Sequence, residues 1–202
     1  MSRIGLSTSR TSLIAEALSR VFARIWRIEP YRFWTHKCAL VGEISRGAER
    51  VLDVGCGPRL YRNCCEAVEY VGLDLHGRPE VIGSASALPF RDGSFDAVVA
   101  MDVLEHVEEI DAAASECHRV LREGGRLLLV TPNALGFGTF DSLADPTHRH
   151  HLTWRSATEL LTRAGFRRLS SVTTQLHVFP PLNRRVRSLT FLQQSVCLIA
   201  TK

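Results

Sequence analysis

The sequence predicts an α/β fold with a doubly wound, mostly parallel seven-stranded sheet, an antiparallel edge hairpin and N-terminal helices. An apolar segment runs directly into a Gly-x-Gly turn over residues 51–57. Strand and helix patterns then alternate up to residue 131, which is typical of parallel strands joined by crossover helices. Two late strand patterns, at 166–172 and 191–200, have no helix pattern between them, and they predict the hairpin.

The composition agrees with this expectation. The chain has 202 residues, of which 45% are apolar and 23% charged, as is ordinary for a globular domain. It contains no uninterrupted apolar run of about 18 residues and no apolar signal segment, so we expect neither a transmembrane helix nor a secretory signal. The six cysteines form no C-x-x-C pair. We therefore expect reduced thiols and a cytoplasmic protein.

The N-terminal segment, residues 1–47, carries the basic excess of the chain, with eight Lys or Arg against three acidic residues. Apolar residues recur at helical spacing over 13–28, and a second helix is predicted over 31–45, with an apolar side that includes Val41. We therefore divide the chain into an N-terminal helical extension, 1–47, and a larger α/β domain, 48–202.

Two roles remain open for this extension. Amphipathic helices usually pack on a core, so the helices are expected to cover the ligand site as a lid. The alternative is peripheral contact with an anionic membrane surface through Arg20, Arg24, Arg27 and Trp26. Nucleic-acid binding is less favoured, because the basic residues are few and no aromatic stacking platform lies between them.

The larger domain is predicted to begin with the strand that precedes the Gly-x-Gly turn. The elements expected after this turn are a helix over 60–67, a strand over 70–75, a weak strand over 81–86, a strand over 97–101, a helix over 108–121, a strand over 126–131 and a helix over 154–164. Gly124 and Gly125 are expected to end the helix over 108–121, and Thr153 is expected to cap the helix over 154–164. The intervening segment, 132–153, leaves the carboxyl end of the fifth strand, where ligands bind in such sheets.

A series of short motifs occurs in a fixed order along this domain. The motifs are Val51-Leu52-Asp53-Val54-Gly55-Cys56-Gly57, Gly72-Leu73-Asp74, Leu88-Pro89-Phe90, Ser94-Phe95-Asp96, Leu104-Glu105-His106, Arg119-Val120-Leu121 with Gly124-Gly125, and Thr131-Pro132-Asn133. In this order and spacing the chain resembles the class I S-adenosylmethionine-dependent methyltransferases, over roughly residues 48–172. The resemblance implies a Rossmann-like methyltransferase fold and S-adenosyl-L-methionine as cofactor.

The resemblance also implies roles for individual residues. The cofactor-binding positions are Asp53, Gly55, Cys56 and Gly57 at the amino-acid end, Asp74 at the ribose, Leu75 with Ala85, Ser86, Ala87 and Leu88 at the adenine, and Met101 and Asp102 near the sulfonium. The sequence departs from the family at two positions. Pro58 follows the glycine turn, and Ser84 stands where an adenine-binding Asp is common. A nicotinamide-binding site is disfavoured, because its third glycine would fall at Leu60.

Methyl transfer from a sulfonium is a direct displacement, which needs a base only if the acceptor must lose a proton. The candidate bases are His106, His148 and His151, and His150 lies beside them in sequence. A metal ion is not expected, because the H-x-H-H spacing at 148–151 is too tight for three ligands to converge.

The resemblance is closest to the family members that methylate small molecules, quinone precursors and sugars. It therefore implies a small-molecule acceptor, namely a sugar, a quinone-like compound or a lipid-linked metabolite, methylated on oxygen or carbon. The alternative is a non-catalytic S-adenosylmethionine-binding protein that acts as a sensor or as a partner subunit. Residues 1–47, 132–153 and 174–190 lie largely outside the motifs, and we expect them to select the acceptor.

Overall fold

A computed structural model describes residues 30–135, 139–172 and 195–202. The helix predicted over 13–28 and the whole connection 174–190 lie outside these ranges, so the lid and the membrane contact stay predictions. Within the described ranges, no helix has both the length and the apolar character needed to cross a membrane.

Seven strands of the described residues form one sheet, which confirms the predicted fold class. The strands are β1 (Arg50–Val54), β2 (Glu69–Asp74), β3 (Val81–Ile82), β4 (Phe95–Met101), β5 (Leu121–Pro132), β6 (Arg167–Ser171) and β7 (Ser195–Thr201). Their spatial order is β3-β2-β1-β4-β5-β7-β6. Pairing is parallel from β3 to β5, whereas β7 is antiparallel to both β5 and β6. The order reverses between β1 and β4, and ligands bind at the carboxyl ends of strands beside such a reversal.

Helices lie on both faces of this sheet. They are α1 (Pro30–Ser45), α2 (Ile110–Val120), α3 (Thr139–Ala144) and α4 (Trp154–Arg163), with 3₁₀ turns at Arg62–Cys64 and Leu104–His106. Successive side chains of a strand point to opposite faces. Leu52 accordingly belongs to the apolar cluster that includes α2 and α4, whereas the adjacent Val51 packs with Leu40, Val41 and Ile44 of α1.

This packing moves the predicted domain division. By its internal contacts the chain separates into Met1–Thr35 and His36–Lys202, whereas the sequence analysis divides it after residue 47. The difference arises because Leu40, Val41 and Ile44 are buried in one of the two cores of the larger unit. Most of α1 is therefore a structural part of the α/β domain.

The capping of α4 agrees with the sequence prediction. Thr153 Oγ1 accepts a hydrogen bond from the Ser156 amide at 3.2 Å, and Ser156 Oγ accepts one from the Thr153 amide at 2.8 Å. This reciprocal pair is a capping box, which satisfies two amides at the start of the helix. Gly165, at φ +101°, follows the end of α4.

Two local predictions are wrong. The predicted helix over 60–67 is only the 3₁₀ turn Arg62–Cys64, and Leu60 is 53% exposed. A helix this short gains little without an apolar face to bury. The predicted stop of α2 at Gly124 and Gly125 is also wrong, because α2 ends at Val120 and both glycines lie within β5. They occupy an irregular stretch where the pairing of β4 with β5 shifts register.

The expectation of six reduced cysteines is wrong for one pair. Cys38 of α1 and Cys64 of the 3₁₀ turn form a disulfide, with their Cα atoms 5.2 Å apart. Cys56, Cys117 and Cys197 are buried free thiols. The two bonded residues are 26 positions apart, so only the packing of α1 beside β1 brings them together.

Candidate active site

A cleft of about 500 Å³ opens at the carboxyl ends of β1, β2 and β4. Its size lies within the range of about 300–1,000 Å³ that is usual for small-molecule sites. Predicted site residues that line it are Gly55, Asp74, Leu75, Ala85, Ser86, Asp102 and His106. The structure therefore brings residues from three separate motifs to one cavity.

Gly55 forms the tight turn between β1 and the cleft. Its backbone has φ +69°, a left-handed conformation that is costly for residues other than glycine. A Cβ atom at this position would lie 2.3 Å from Val103 Cγ2. The Gly55 amide donates to the Leu73 carbonyl at 2.8 Å, which joins the turn to β2. Glycine is thus required here both by the backbone and by the close approach of Val103.

Asp74 ends β2 on the opposite side of the turn. Its carboxylate accepts hydrogen bonds from the Gly57 amide at 2.8 Å and from the His76 amide at 3.2 Å. The next residue, Leu75, is 59% exposed although it is apolar. A carboxylate beside an accessible apolar side chain suits a ligand with hydroxyl groups and a planar apolar ring.

Asp53 lies beneath the turn and is only 2% exposed. Tyr70 Oη donates a hydrogen bond to its carboxylate at 2.5 Å. Burial raises the pKa of Asp53 to about 7; the hydrogen bond from Tyr70 opposes this rise, and the negative charge of Asp74 adds to it. The Asp53 carboxyl is therefore a buried group behind the turn, and it is not exposed to a molecule bound in the cleft.

The segment after β3 forms another wall of the cleft. Ser84 Oγ and Ser86 Oγ are 2.9 Å apart, and Ser86 lines the cavity. The Leu88 amide donates to Glu116 Oε2 at 2.7 Å, and Arg119 Nη2 donates to the Leu88 carbonyl at 2.9 Å. These two contacts with α2 hold the segment in place.

The other predicted cofactor residues are not among those that line the cavity. Cys56, Leu88 and Met101 are buried, whereas Gly57 and Ala87 are exposed. Buried side chains at these positions shape the walls of the cleft from behind. Any direct contact they make with a ligand would come from their main chain.

Asp102 follows β4 and has φ +50°, an unusual backbone conformation for a residue other than glycine. Its carboxylate pairs with the ammonium of Lys37 from α1. The Lys37 side chain is 6% exposed, whereas that of Asp102 is 41% exposed. Sequence reasoning missed Lys37, because a lysine within a basic amphipathic helix gives no sign that it will be buried.

Three titratable residues meet at the edge of the cleft. One ligand atom each of Glu105, His106 and His148 lies within 4.8 Å of the others. The imidazole rings of His106 and His148 have centroids 4.7 Å apart. Burial, reinforced by the charge of Asp102, raises the pKa of Glu105 to about 7. Sequence reasoning noticed both histidines and missed Glu105 as a functional candidate, although it lies in the same motif as His106.

The neighbouring histidines make other contacts. His151 Nδ1 is 3.0 Å from Ser142 Oγ, and His150 Nε2 is 3.3 Å from the Glu108 carbonyl. The structure therefore places His106 and His148 together and gives His151 a different partner. Arg149, from the same loop, lines the cleft and was not predicted.

The chemistry of the cleft fits S-adenosylmethionine, the cofactor implied by the resemblance. Gly55 provides a backbone cradle that a side chain would fill, and Asp74 provides a carboxylate at the wall. Leu75 offers an apolar surface, and Ser86 offers a hydroxyl, to the adenine ring of the cofactor. Asp74 supplies negative charge toward a cationic ligand.

Comparison with known proteins gives a consistent picture. Residues 52–129 match the family described as a methyltransferase domain. The chain is 36% identical over 154 residues to a probable S-adenosylmethionine-dependent methyltransferase from Mycolicibacterium smegmatis, covering 68% of this chain and 60% of that protein. It is 38% identical over 124 residues to a demethylmenaquinone methyltransferase from a Mycobacterium species, covering 54% of this chain and 53% of that protein.

The fold is also shared with solved structures. A crystal structure of an S-adenosylmethionine-dependent methyltransferase from Archaeoglobus fulgidus aligns with a TM-score of 0.61 at 21% identity, covering 96% of this chain and 100% of that one. The chain spans well under two thirds of the length of the two relatives above. Motifs, topology and sequence similarity agree in relating the chain to the class I S-adenosylmethionine-dependent methyltransferases.

Proposed function

We propose that the chain is a methyltransferase that transfers a methyl group from S-adenosylmethionine to an oxygen or carbon atom of a small-molecule acceptor. The observation that carries this proposal is the cleft at the carboxyl ends of β1, β2 and β4. Gly55, Asp74 and Leu75, which are cofactor positions implied by the resemblance, line this cleft. When bound, the cofactor supplies an activated methyl group on a positively charged sulfur.

The residues of the chain act mainly by positioning. Asp74 offers carboxylate oxygens to ribose hydroxyls, and its bonds to the Gly57 and His76 amides fix the orientation of that carboxylate. Leu75 and Ser86 form the adenine wall. Alignment of the reacting atoms and exclusion of water provide most of the acceleration in such a displacement. A rigid turn at Gly55 serves that alignment.

A hydroxyl acceptor must also lose its proton. His106 is the candidate that lines the cleft. Its Nδ1 lies 3.0 Å from Thr147 Oγ1 and 3.3 Å from the Thr147 carbonyl. Donation from Nδ1 to the carbonyl leaves Nε2 as the basic nitrogen, which could accept a proton from an acceptor in the cleft.

For the acceptor, we favour a quinone-like compound over a sugar or a lipid-linked metabolite. The similarity to a demethylmenaquinone methyltransferase supports this choice. Two exposed leucines on the segment after β5 also support it, Leu135 at 57% exposure and Leu143 at 63%. On a segment that we expect to select the acceptor, exposed apolar side chains suit an apolar acceptor better than a sugar.

The test is incubation of the purified full chain with cofactor labelled on the methyl group and with fractionated cell extract. We expect label to enter the isoprenoid-quinone fraction, and the Asp74→Ala variant to transfer much less label at a cofactor concentration that does not saturate it. Label in a sugar fraction would change the acceptor class. Cofactor binding by calorimetry without transfer to any fraction would favour the sensor or partner-subunit alternative.

A further inference from the structure

The Glu105 side chain is buried with no well-formed hydrogen bond. It is 1% exposed, and neither carboxylate oxygen meets hydrogen-bond geometry with a described residue, although interaction with the buried Thr131 hydroxyl opposes the rise in the Glu105 pKa. Burial of a carboxylate without compensation is costly, so such groups are usually paired with charge or bound to a metal. The position of the residue is fixed, because its carbonyl accepts from the Arg149 amide at 2.7 Å and from the His150 amide at 3.1 Å.

Two imidazoles face this carboxylate with one ring nitrogen already engaged in each. His148 Nδ1 is 2.8 Å from the Ser142 carbonyl and must donate to it, which leaves Nε2 without a proton when the ring is neutral. His106 Nδ1 contacts the carbonyl and hydroxyl of Thr147 in a similar way. A histidine that binds metal through one nitrogen typically donates its other N–H to a backbone carbonyl or a carboxylate.

We propose that Glu105, His106 and His148 bind a divalent transition-metal ion, with zinc as the ion that the donor set fits best. Two histidines and one glutamate form a known set of three protein ligands for zinc, which leaves a fourth position open. An ion at the centre of an equilateral triangle of 4.8 Å sides would lie about 2.8 Å from each corner. Each ligand atom then moves by at most about 0.7 Å to reach a bond length near 2.1 Å.

This site differs from the metal site that the sequence disfavours. The tight spacing of residues 148–151 opposes a site in which all three histidines of that segment are ligands. Only His148 of that group belongs to the cluster, since His150 and His151 contact Glu108 and Ser142. The other two ligands come from the 3₁₀ turn after β4.

The place of the cluster indicates a use for the open position. His106 lines the cofactor cleft, so an ion bound there would adjoin it. A bound zinc ion lowers the pKa of a coordinated oxygen group and orients it. An acceptor hydroxyl bound to the ion could thus be held in place and release its proton to water, and His106 would then act as a ligand and not as the base. This use rests on the proposed methyl transfer, whereas binding of the ion does not.

Binding is tested on the purified full chain after treatment with a chelator, without cofactor or acceptor. Titration with Co²⁺, a spectroscopic substitute for zinc, should give visible absorption bands that saturate at a single equivalent and disappear when Zn²⁺ is added. The Glu105→Gln and His148→Gln variants should bind Co²⁺ at least about 100-fold more weakly, since even loss of an outer-shell partner costs 10–100-fold. The matched control is His150→Gln, from the same loop, which should bind as wild type does.

Circular dichroism and calorimetry with S-adenosylmethionine separate the possible outcomes. A folded wild-type chain that binds the cofactor but shows no saturable Co²⁺ absorption overturns the metal site and leaves the methyltransferase proposal intact. Co²⁺ binding that both ligand variants retain also overturns it. Metal binding without cofactor binding would instead contradict the proposed function. If a variant is unfolded, the other ligand variant and His106→Gln provide the same comparison.

Discussion

The two sides of the cleft are built in different ways. On the cofactor side, amides of the turn after β1 bind the end of β2: the Gly55 amide donates to the Leu73 carbonyl and the Gly57 amide donates to the Asp74 carboxylate. On the other side, which we propose faces the acceptor and call the acceptor side, Lys37 of α1 pairs with Asp102, and His148 of the loop after β5 contacts His106. The cofactor side therefore depends on backbone shape, and the acceptor side on charges that must be balanced after burial.

The largest effect should come from the backbone of the cofactor side. Gly55→Ala adds a Cβ that would lie 2.3 Å from Val103 Cγ2, at φ +69°. We expect a loss of about 3 kcal/mol in the free energy of unfolding, from backbone strain plus overpacking. Gly57 is the matched control, since it also has positive φ but a Cβ added there would meet nothing within 4 Å. Gly57→Ala should cost only about 1 kcal/mol. Equal losses in urea unfolding would show that Val103 does not restrict the turn.

Removal of the carboxylate on the same side should weaken cofactor binding. We expect Asp74→Ala to lower the affinity for S-adenosylmethionine about 30- to 100-fold in calorimetry, because hydrogen bonds to a charged group contribute about 1.5–3 kcal/mol. The control is Asp111→Ala, an exposed acid on α2 that pairs with Arg163 outside the cleft. An unchanged affinity of the Asp74→Ala variant for S-adenosylmethionine would show that this carboxylate does not bind the ribose.

The buried acid behind the turn should make stability depend on pH. The pKa of Asp53 is about 7 in the folded chain, against an ordinary value of 3.8 for an aspartate in water. The folded state therefore binds more protons than the unfolded state between these values, and stability falls as pH rises from about 4 to about 7. Between pH 5 and 7.5 we expect Asp53 to contribute a loss on the order of 2 kcal/mol.

Asp53→Asn should remove this contribution, since an amide does not titrate. The measurement is urea unfolding of the cofactor-free chain at both pH values, compared as the difference between wild type and variant. Parallel pH profiles for the two proteins would contradict the burial argument.

The smallest effect concerns the acceptor side and depends on which partner of an ion pair is removed. Lys37 is buried, whereas Asp102 is 41% exposed. Loss of the acid leaves a buried ammonium with less compensation, but loss of the lysine leaves a carboxylate that water can solvate. We expect Asp102→Asn to cost about 2 kcal/mol in unfolding free energy and Lys37→Met about 1 kcal/mol. Asparagine tolerates the left-handed backbone at this position. The reverse order of the two losses would show that Lys37 is not held mainly by Asp102.

The sequence predicted the cofactor side better than the acceptor side. The Gly-x-Gly turn and the acid at Asp74 were identified because each is a local pattern at the end of an apolar strand. The two wrong predictions, a helix over 60–67 and a helix end at Gly124, concern short segments. Local sequence patterns are ambiguous in such segments. Glu105 was overlooked as a functional group because its burial depends on the loop that carries Arg149 and His150.

By itself, the sequence determined the fold class, the family and the position of the glycine turn. These follow from periodicity, from glycine at a constrained backbone and from motifs in order, all of which are properties of neighbouring residues. Only the tertiary structure decided that Lys37 reaches Asp102, that Cys38 meets Cys64 and that Glu105, His106 and His148 form one cluster. Contacts between residues distant in the chain depend on how elements pack, and packing leaves no local signature in the sequence.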